Sequence, residues 1–457
     1  MSPVPPGDPA QVGEAGGTGA RPTGRPPGDG ARTHAVEHVE EIVTLDGHVV
    51  DSLLLPKVLD AIVAAGASYE ILELDVGTTA EDPSHVRLRV VTDGERELRS
   101  LLEQLRVHGV NPEDAADAEL QPADADGVLP EGFYATTNLP TAVRVGGRWV
   151  WVSAPEMDCA LVVDGAPGAP AARVVPMHKV RAGQSVVVGW RGVRVAAPRP
   201  APDQATFGFM TSEVSSEKPK GLVVARVADS LRRARHRREQ AAGGGKVLAV
   251  CGPAVVHTGA APNLARLVRD GWIDVLFAGN GFAAHDIEAA VLGTSLGVSL
   301  AEGAPTEHGH ANHLRVINAV RRFGSIAAAV DAGWLRSGVM YECVRAGVPY
   351  VLAGSVRDDG PLPDVITDTV AAADAMRDAI DGVDVALMLA STLHAIATGN
   401  LLPAGVETFC VDINQAVVTK LADRGSHQAV GIVTDVGLFL AELAGELCGS
   451  GPATTAP

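Results

Sequence analysis

Residues 275–286 read VLFAGNGFAAHD: an apolar run, a glycine-asparagine-glycine turn, then a stretch of helical character. The spacing G-x-G-x-x-A at Gly279, Gly281 and Ala284 is close to the dinucleotide fingerprint, yet a glycine-rich chain also produces such turns without function. Its surroundings give it meaning. KVLAVCGPAVV (246–256), PYVLAGSVRD (349–358), VDVALMLAS (383–391), ETFCVDIN (407–414) and QAVGIVTD (428–435) are strand-like, and helical stretches such as NLARLVRDG (263–271) lie between them. Strands separated by helices predict right-handed βαβ crossovers and a parallel sheet buried on both faces, here over 204–450.

Upstream the pattern changes twice. Residues 35–128 combine strand-like runs with amphipathic helical runs, among them a helix around 53–65, the alternating HVRLRVVTD and the helical GERELRSLLEQLRVHG. Their order, βαββα, predicts a small α+β domain. Residues 129–203 hold short β-branched runs separated by GG, DGAPGAP and RAGQ, the signature of a compact antiparallel β module with a hairpin at Gly146-Gly147. Residues 1–34 are rich in Pro, Gly and Ala and predict a disordered tail.

A chain of 457 residues with a net charge of −18 has ample material for several cores and repels phosphate backbones, so no nucleic acid or anionic membrane is expected as a partner. The five cysteines stand at 159, 251, 343, 410 and 448 without a C-x-x-C pair, which predicts neither a zinc knuckle nor a disulfide framework. With no secretory leader and no membrane-spanning run in the sequence, the expected compartment is the cytoplasm. The run EHGHANH (307–313) brings His308, His310 and His313 close together, but it lacks the H-E-x-x-H spacing and is broken by glycine, so no metal site is expected.

In a parallel sheet, ligands bind beyond the carboxyl ends of the strands. The residues there are Asn280 and Gly281 after VLFAG, and Arg357, Asp358 and Asp359 after VLAGSV. Ser391, Thr392 and His394 follow ALMLA, Asp412 and Asn414 follow TFCV, and Thr434 and Asp435 follow GIV. Helix caps favour the same residue types. Five polar ends on one edge nevertheless fit a ligand with many hydroxyls and phosphates. Asp412 is placed to accept two vicinal ribose hydroxyls, or to cap the helix that begins at Gln415.

The runs EIVTLDGHVVDSLLLPKVLD, EGFYATTNLPTAVRVGGRWVWV, VLFAGNGFAAHDIE, GSVRDDGPLPDVITD, STLHAIATGNLLP and CVDINQAVVTKLADRGSHQAVGIVTDVG resemble the archaeal-type ornithine cyclodeaminases across residues 36–445. The N-terminal domain of that family resembles the lysine-oxoglutarate reductase/saccharopine dehydrogenase region. The same module forms the C-terminal part of bifunctional arginine dihydrolase/ornithine cyclodeaminases, whose dihydrolase domain this sequence is expected to lack. The resemblance implies an α/β protein whose C-terminal parallel-sheet domain binds NAD and is akin to deoxyhypusine synthase, preceded by the small α+β domain and the β-rich module. It implies NAD contacts at Asn280, Gly281, Asp359, Ser391, Thr392, Leu393, His394, Asp412, Asp435 and Val436.

The implied reaction converts ornithine to proline and ammonia by transient hydride transfer, in a homo-oligomer. It requires a cation for the substrate carboxylate and an acid–base group for the amines. Arg357 is the candidate cation, with a salt bridge to Asp358 as the alternative. Asp331 is the candidate acid–base group, with a helix cap as the alternative. Cys251 reads as a small core residue rather than a nucleophile. Lysine cyclodeamination and amino-acid dehydrogenation remain open, because one methylene in a pocket changes binding by only about 1–3 kcal/mol. A non-catalytic sensor of NAD and amino acid also remains open.

Overall fold

In the computed structural model, residues 38–449 are described except 48, 50–53, 78–81, 83, 107, 114–115, 167–168, 197–219, 241–242, 297, 300–310, 359 and 424–428, together with the side chains of 166, 220, 299, 418, 422 and 423. The predicted tail, 1–34, therefore lies outside the described residues. So do Asp359 and the first part of the histidine run.

The first sheet contains β1 (Val39–Gly47), β2 (Ser68–Asp75), β3 (Ser84–Thr92) and β4 (Val110–Pro112), in the order β2-β3-β1-β4 and antiparallel throughout. Helices α1 (Leu54–Ala64) and α2 (Glu95–Arg106) make the crossovers of two interleaved βαβ units. Val86, Leu88 and Val90 of β3 point to one face and pack on Val58 and Ile62 of α1 and Leu98, Leu101 and Leu105 of α2. The sequence pattern missed β4 because three residues, VNP, are too few to show an alternation.

The second sheet has the order β11-β6-β7-β9-β8-β10-β5. Its strands are β5 (Glu119–Pro122), β6 (Thr141–Val145), β7 (Arg148–Ser153), β8 (Ala160–Ala166), β9 (Ala169–Val175), β10 (Ser185–Val188) and β11 (Val193–Val195). Gly146 and Gly147 both take positive φ, 59° and 75°, and close the tight β6–β7 hairpin as their sequence indicates. The module departs from the all-antiparallel expectation at one place, where β7 and β9 run parallel. Asn111 of β4 ties the two sheets together. Its side chain accepts from the Val195 N–H at 2.6 Å and donates to the Val195 carbonyl at 2.8 Å, as a neighbouring strand would.

The third sheet is the parallel one. Its strands are β12 (Lys246–Cys251), β13 (Val275–Gly279), β16 (Tyr350–Ala353), β17 (Val365–Ile366), β18 (Val383–Leu389), β19 (Glu407–Asp412) and β20 (Ala429–Val433); a small hairpin, β14 (Thr294–Ser295) and β15 (Val298–Ser299), stands apart. Every neighbouring pair in the order β17-β16-β13-β12-β18-β19-β20 is parallel. Around it lie α3 (Lys220–Gln240), α4 (Ala254–His257), α5 (Ala261–Arg269), α6 (Asn280–Leu292), α7 (Asn312–Phe323), α8 (Ile326–Asp331) and α9 (Val339–Ala346). The chain ends with α10 (Thr369–Ala379), α11 (Leu393–Leu401), α12 (Gln415–Asp423) and α13 (Val436–Cys448). Strand β12 shows why its sequence has no polar face: Val247, Ala249 and Cys251 enter one core while Leu248 and Val250 enter the other. Among the described residues no helix is long and apolar enough to cross a membrane.

The β module is clamped to this domain by charge. Arg377 of α10 donates to both carboxylate oxygens of Glu156 at 2.7 and 2.6 Å, and also to Asp374, which accepts in turn from Lys179 at 2.9 Å. Backbone bonds Met157 N–H to Asn400 O and Ala404 N–H to Asn138 O flank the clamp. Burial works to raise the Asp374 pKa, but the Lys179 and His178 partners outweigh it and hold the carboxyl below its usual range. A carboxyl held low contributes stability that is present above its unfolded value and lost as pH falls through the folded one. The clamp is therefore expected to loosen in acid, below about pH 4. Glu156→Ala strands a half-buried guanidinium and should cost about 1–3 kcal/mol in denaturant unfolding; a midpoint equal to wild type, at neutral pH and in acid, would show that the clamp does not hold the modules together.

Candidate functional site at the carboxyl rim of the parallel sheet

Because the strands are parallel, the ends of β13, β16, β18, β19 and β20 share one rim. The chain lays down β12, β13, β16 and β17 outward in one direction, then returns with β18 to the other side of β12 and continues outward through β19 and β20. Strand order thus reverses between β12 and β18, the position at which doubly wound sheets open a ligand crevice. Counted from β12, and leaving aside the two-residue edge strand β17, the order is that of a dinucleotide-binding sheet, 3-2-1-4-5-6. This resolves the turn at Gly279–Gly281: it follows a strand one place beyond the crevice, while the loops at the crevice follow β12 at Gly252 and β18 at Ala390–Thr392.

The crevice walls touch. Gly252, just after β12, donates its N–H to the Leu389 carbonyl at 2.9 Å, and a Cβ built on it would stand 1.7 Å from the Ala390 oxygen. Ala390 itself adopts φ 47°, an uncommon conformation for a residue with a side chain. Ser391 is buried, and Thr392 sits at the start of α11 without making a side-chain cap. Leu393 is 77% exposed. His394 folds back, so that its Cε1 would lie 2.8 Å from a Cβ at Gly279, which joins the two loops across the rim. Burial lowers the His394 pKa, with the Asp358 charge opposing.

Asp412 ends β19 and is nearly buried. One of its oxygens accepts from the Asn414 N–H at 2.7 Å, and it is Asn414, accepting from Ala416 N–H at 3.0 Å, that caps α12. Next to Asp412, Ile413 is 75% exposed. Thr434, after β20, has a buried hydroxyl with no protein partner among the described residues. Asp435 caps α13 by accepting from Leu438 N–H at 2.9 Å, and Val436 is buried behind it. Asn280 is buried too; its Oδ1 accepts from Leu362 N–H at 3.0 Å and so pins the loop after β16. Gly281 packs over Pro253. Arg357 is exposed on that loop, while Asp358 closes a turn on Ser355 at 2.8 Å.

Asp331 is not gathered with these residues at a strand end. It is the exposed last residue of α8, a short helix packed on α7 and α9 and capped at its other end by Ser325. Cys251 is fully buried, and burial, with Cys343 and Asp286 nearby, holds its thiol far above the ordinary range, as a core residue requires. Among the described residues no group of His, Cys, Asp or Glu is arranged to hold a metal.

Sequence reading missed a second constellation beside the rim. Helix α6 buries two acids, Asp286 and Glu288. Asp286 accepts from Val339 and Met340 N–H groups at 2.9 and 2.8 Å and caps α9; burial nevertheless pushes its pKa up to about 6. Glu288 pairs with His285 Nδ1 at 2.9 Å and accepts from Thr294 Oγ1 at 2.8 Å, and Thr294 accepts from Asn312 Nδ2 at 3.0 Å. The ring of His257, from α4, stands edge-on to His285 at 4.9 Å and meets Ser295 Oγ at 2.7 Å. Burial and the His285 charge push the His257 pKa down. The signal available in the sequence was HDIE inside an otherwise apolar helix, three titratable side chains where a core-facing pattern has none.

Comparison with known proteins agrees with this architecture. Residues 225–443 match the family described as the Rossmann-fold part of the C-terminal region of ArgZ-like arginine dihydrolases, 140–224 match the first region of the same, and 40–139 match the conserved region of the LOR/SDH bifunctional enzyme. The ornithine cyclodeaminase of Methanopyrus kandleri is 51% identical over 409 residues, 89% of this chain and 97% of that protein. The bifunctional arginine dihydrolase/ornithine cyclodeaminase AgrE of Nostoc is 43% identical, and the match covers 91% of this chain and 59% of AgrE. The apo structure of ArgZ, an arginine dihydrolase from the ornithine-ammonia cycle in cyanobacteria, superposes with a TM-score of 0.77 at 38% identity, over 91% of this chain and 59% of that one. A sheet reversed at Gly252 and Ala390, joined to its two upstream modules and matched over nearly all of its described length, places the chain in the archaeal-type ornithine cyclodeaminase family.

Proposed function

We propose that this chain is an NAD-dependent ornithine cyclodeaminase, converting L-ornithine to L-proline and ammonia as a cytoplasmic homo-oligomer. The observation that carries the reading is the end of β19. A nearly buried carboxylate, Asp412, stands one strand from the crevice with one oxygen uncommitted to the protein among the described residues, and exposed Leu393 and Ile413 lie on either side. Val356 and Leu438, also exposed and apolar, follow the ends of β16 and β20 on the same rim. Soluble proteins seldom leave such a row open without a ligand to cover it.

The residues present fit the cofactor. Asp412 is in position to accept the hydroxyls of a ribose, which favours the unphosphorylated dinucleotide. Helices α11 and α6 begin without side-chain caps, so their first N–H groups face the rim as an anion site requires. The unpartnered hydroxyl of Thr434 supplies a further hydrogen bond at the outer end. Val436, buried behind Asp435, backs that end of the surface. Through Ser391–His394 and Asn280–Gly281 the same rim continues to the far side of the crevice, and Asp359 is proposed as a further contact. When bound, NAD supplies a transient acceptor for the Cα hydride, so ring closure and ammonia loss occur without net oxidation.

The chain's own residues then orient the substrate. Arg357, on the exposed turn after β16, provides the cation for the α-carboxylate. The packed loops of the crevice keep the reacting carbon out of bulk water.

Purified protein given ornithine and a catalytic amount of NAD is expected to form proline and ammonia in equal amounts while NADH does not accumulate; steady NADH production would instead identify a dehydrogenase. Asp412→Ala is expected to raise the NAD concentration for half-maximal rate about 10- to 100-fold, because hydrogen bonds to a charged group contribute about 1.5–3 kcal/mol. An unchanged NAD requirement would remove the ribose from this strand end.

A further inference from the structure

Ring closure moves protons as well as a hydride, and the rim residues proposed for NAD do not account for them. Ornithine enters with both nitrogens protonated; proline leaves as a zwitterion and ammonia as ammonium, so the overall reaction neither gains nor loses a proton. Within it, the α-nitrogen must surrender a proton so that its lone pair can support loss of the Cα hydride, and the δ-nitrogen must surrender one before its lone pair forms the new bond to Cα. The Cα–Nα bond then breaks with its electrons on nitrogen. The departing ammonia and the proline nitrogen take up protons in return. A single group that accepts a proton and returns one later serves these steps.

We propose that His285, oriented by Glu288, is this proton carrier for the substrate's amines, with the ring of His257 packed against it. The assignment rests on the cyclodeaminase reading and deepens it. Three features of the cluster support it. First, the Nδ1–H of His285 is committed to Glu288 at 2.9 Å, which leaves the Nε2 lone pair as the base. Second, Glu288 is fully buried and is itself fixed through Thr294 and Asn312, so the imidazole is held as firmly as an acid–base catalyst needs. Third, the cluster borders the crevice. Helix α4, which carries His257, starts directly after β12, and α6, which carries His285, starts at the end of β13. The turn at Gly437, in the first turn of α13, packs on Thr258 beside His257.

Both histidine rings are only half-buried, whereas the acid behind them is closed off. Among the described residues, His313 of α7 stands 6.0 Å from the His285 ring, and Arg315 donates to Asn312 at 3.3 Å. Burial, and then His285, hold the His257 pKa below the ordinary histidine value.

The test uses full-length wild type, His285→Gln and Glu288→Gln. His285→Gln is expected to lower kcat by about 100-fold or more while NAD binding, read by quenching of tryptophan fluorescence, stays at the wild-type value. Glu288→Gln removes the charge that supports an imidazolium and should move the acid limb of the kcat/KM profile to lower pH. Calorimetric titration with ornithine, in buffers of different ionisation enthalpy, should show proton exchange on binding to wild type that is lost in His285→Gln. Where His285→Gln lowers the Tm, Thr294→Val keeps both rings, frees one oxygen of Glu288, and should still shift the acid limb. Wild type that binds NAD but forms no proline overturns the cyclodeaminase reading and this role together. Wild type that forms proline while His285→Gln keeps more than about a third of its kcat overturns the role of His285 alone.

Discussion

The contact between Gly252 and Ala390 is the constraint on which the site depends. At the reversal of a parallel sheet, the loops leaving two adjacent strands must turn to opposite faces, and here their backbones meet with no space for a side chain on the β12 side. The β18 side absorbs the remaining cost as a positive φ at Ala390, a residue type that disfavours it. Strain of this kind persists only where the surroundings enforce it. Here the Ala390 N–H bond to Val411 and the Gly252 N–H bond to Leu389 do so, at 2.9 Å each. The result is a crevice whose floor is rigid backbone, with the first turns of α11 and α4 rising from it on either side.

That geometry explains which parts of the protein could be read from its sequence. Six of the seven parallel strands announce themselves as apolar runs, because both faces of the sheet are buried and no alternation hides them; β17, with two residues, does not. The rim followed from the strand ends alone, since parallel strands finish on one edge. Which two strands flank the crevice was not legible, because sequence order carries no information about which neighbour a strand chooses. The G-x-G-x-x-A spacing at Gly279 drew attention for that reason, although its strand stands one place beyond the crevice. Asp435 and Asn280 show the same limit at the level of single residues. Each sits at a strand end as expected, and each also does structural work, Asp435 as a helix cap and Asn280 as the anchor of Leu362.

The upstream modules are joined to the sheet by interactions that differ in kind. Between the first and second sheets the link is partly backbone-like, with Asn111 imitating a strand toward Val195, and beside it Arg194 of β11 approaches Asp46 of β1 at 3.7 Å on the exposed side. Between the second and third it is ionic and centred on Arg377, whose guanidinium serves Glu156 and Asp374 together. A planar fork can satisfy two carboxylates at once, which a lysine ammonium does with less geometric definition. The second junction lies on α10 and α11, and α11 begins at the crevice. The β module thus bears directly on a helix whose first turn belongs to the candidate site.

Helix α6 separates structural from chemical use of buried charge within three residues. Asp286 and Glu288 are two positions apart and therefore point about 200° around the helix from one another. Asp286 is satisfied by backbone N–H groups at the start of α9, an arrangement that fixes one helix against another and involves no proton donor other than peptide groups. Glu288 is met by side chains, His285 on one oxygen and Thr294 on the other. A buried carboxylate costs several kcal/mol in desolvation, and hydrophobic residues of similar size often replace such groups without loss of stability. Capping α9 is reason enough to retain Asp286. Glu288 holds an imidazole in one tautomer at the edge of the crevice, and its cost is understandable if that imidazole moves protons.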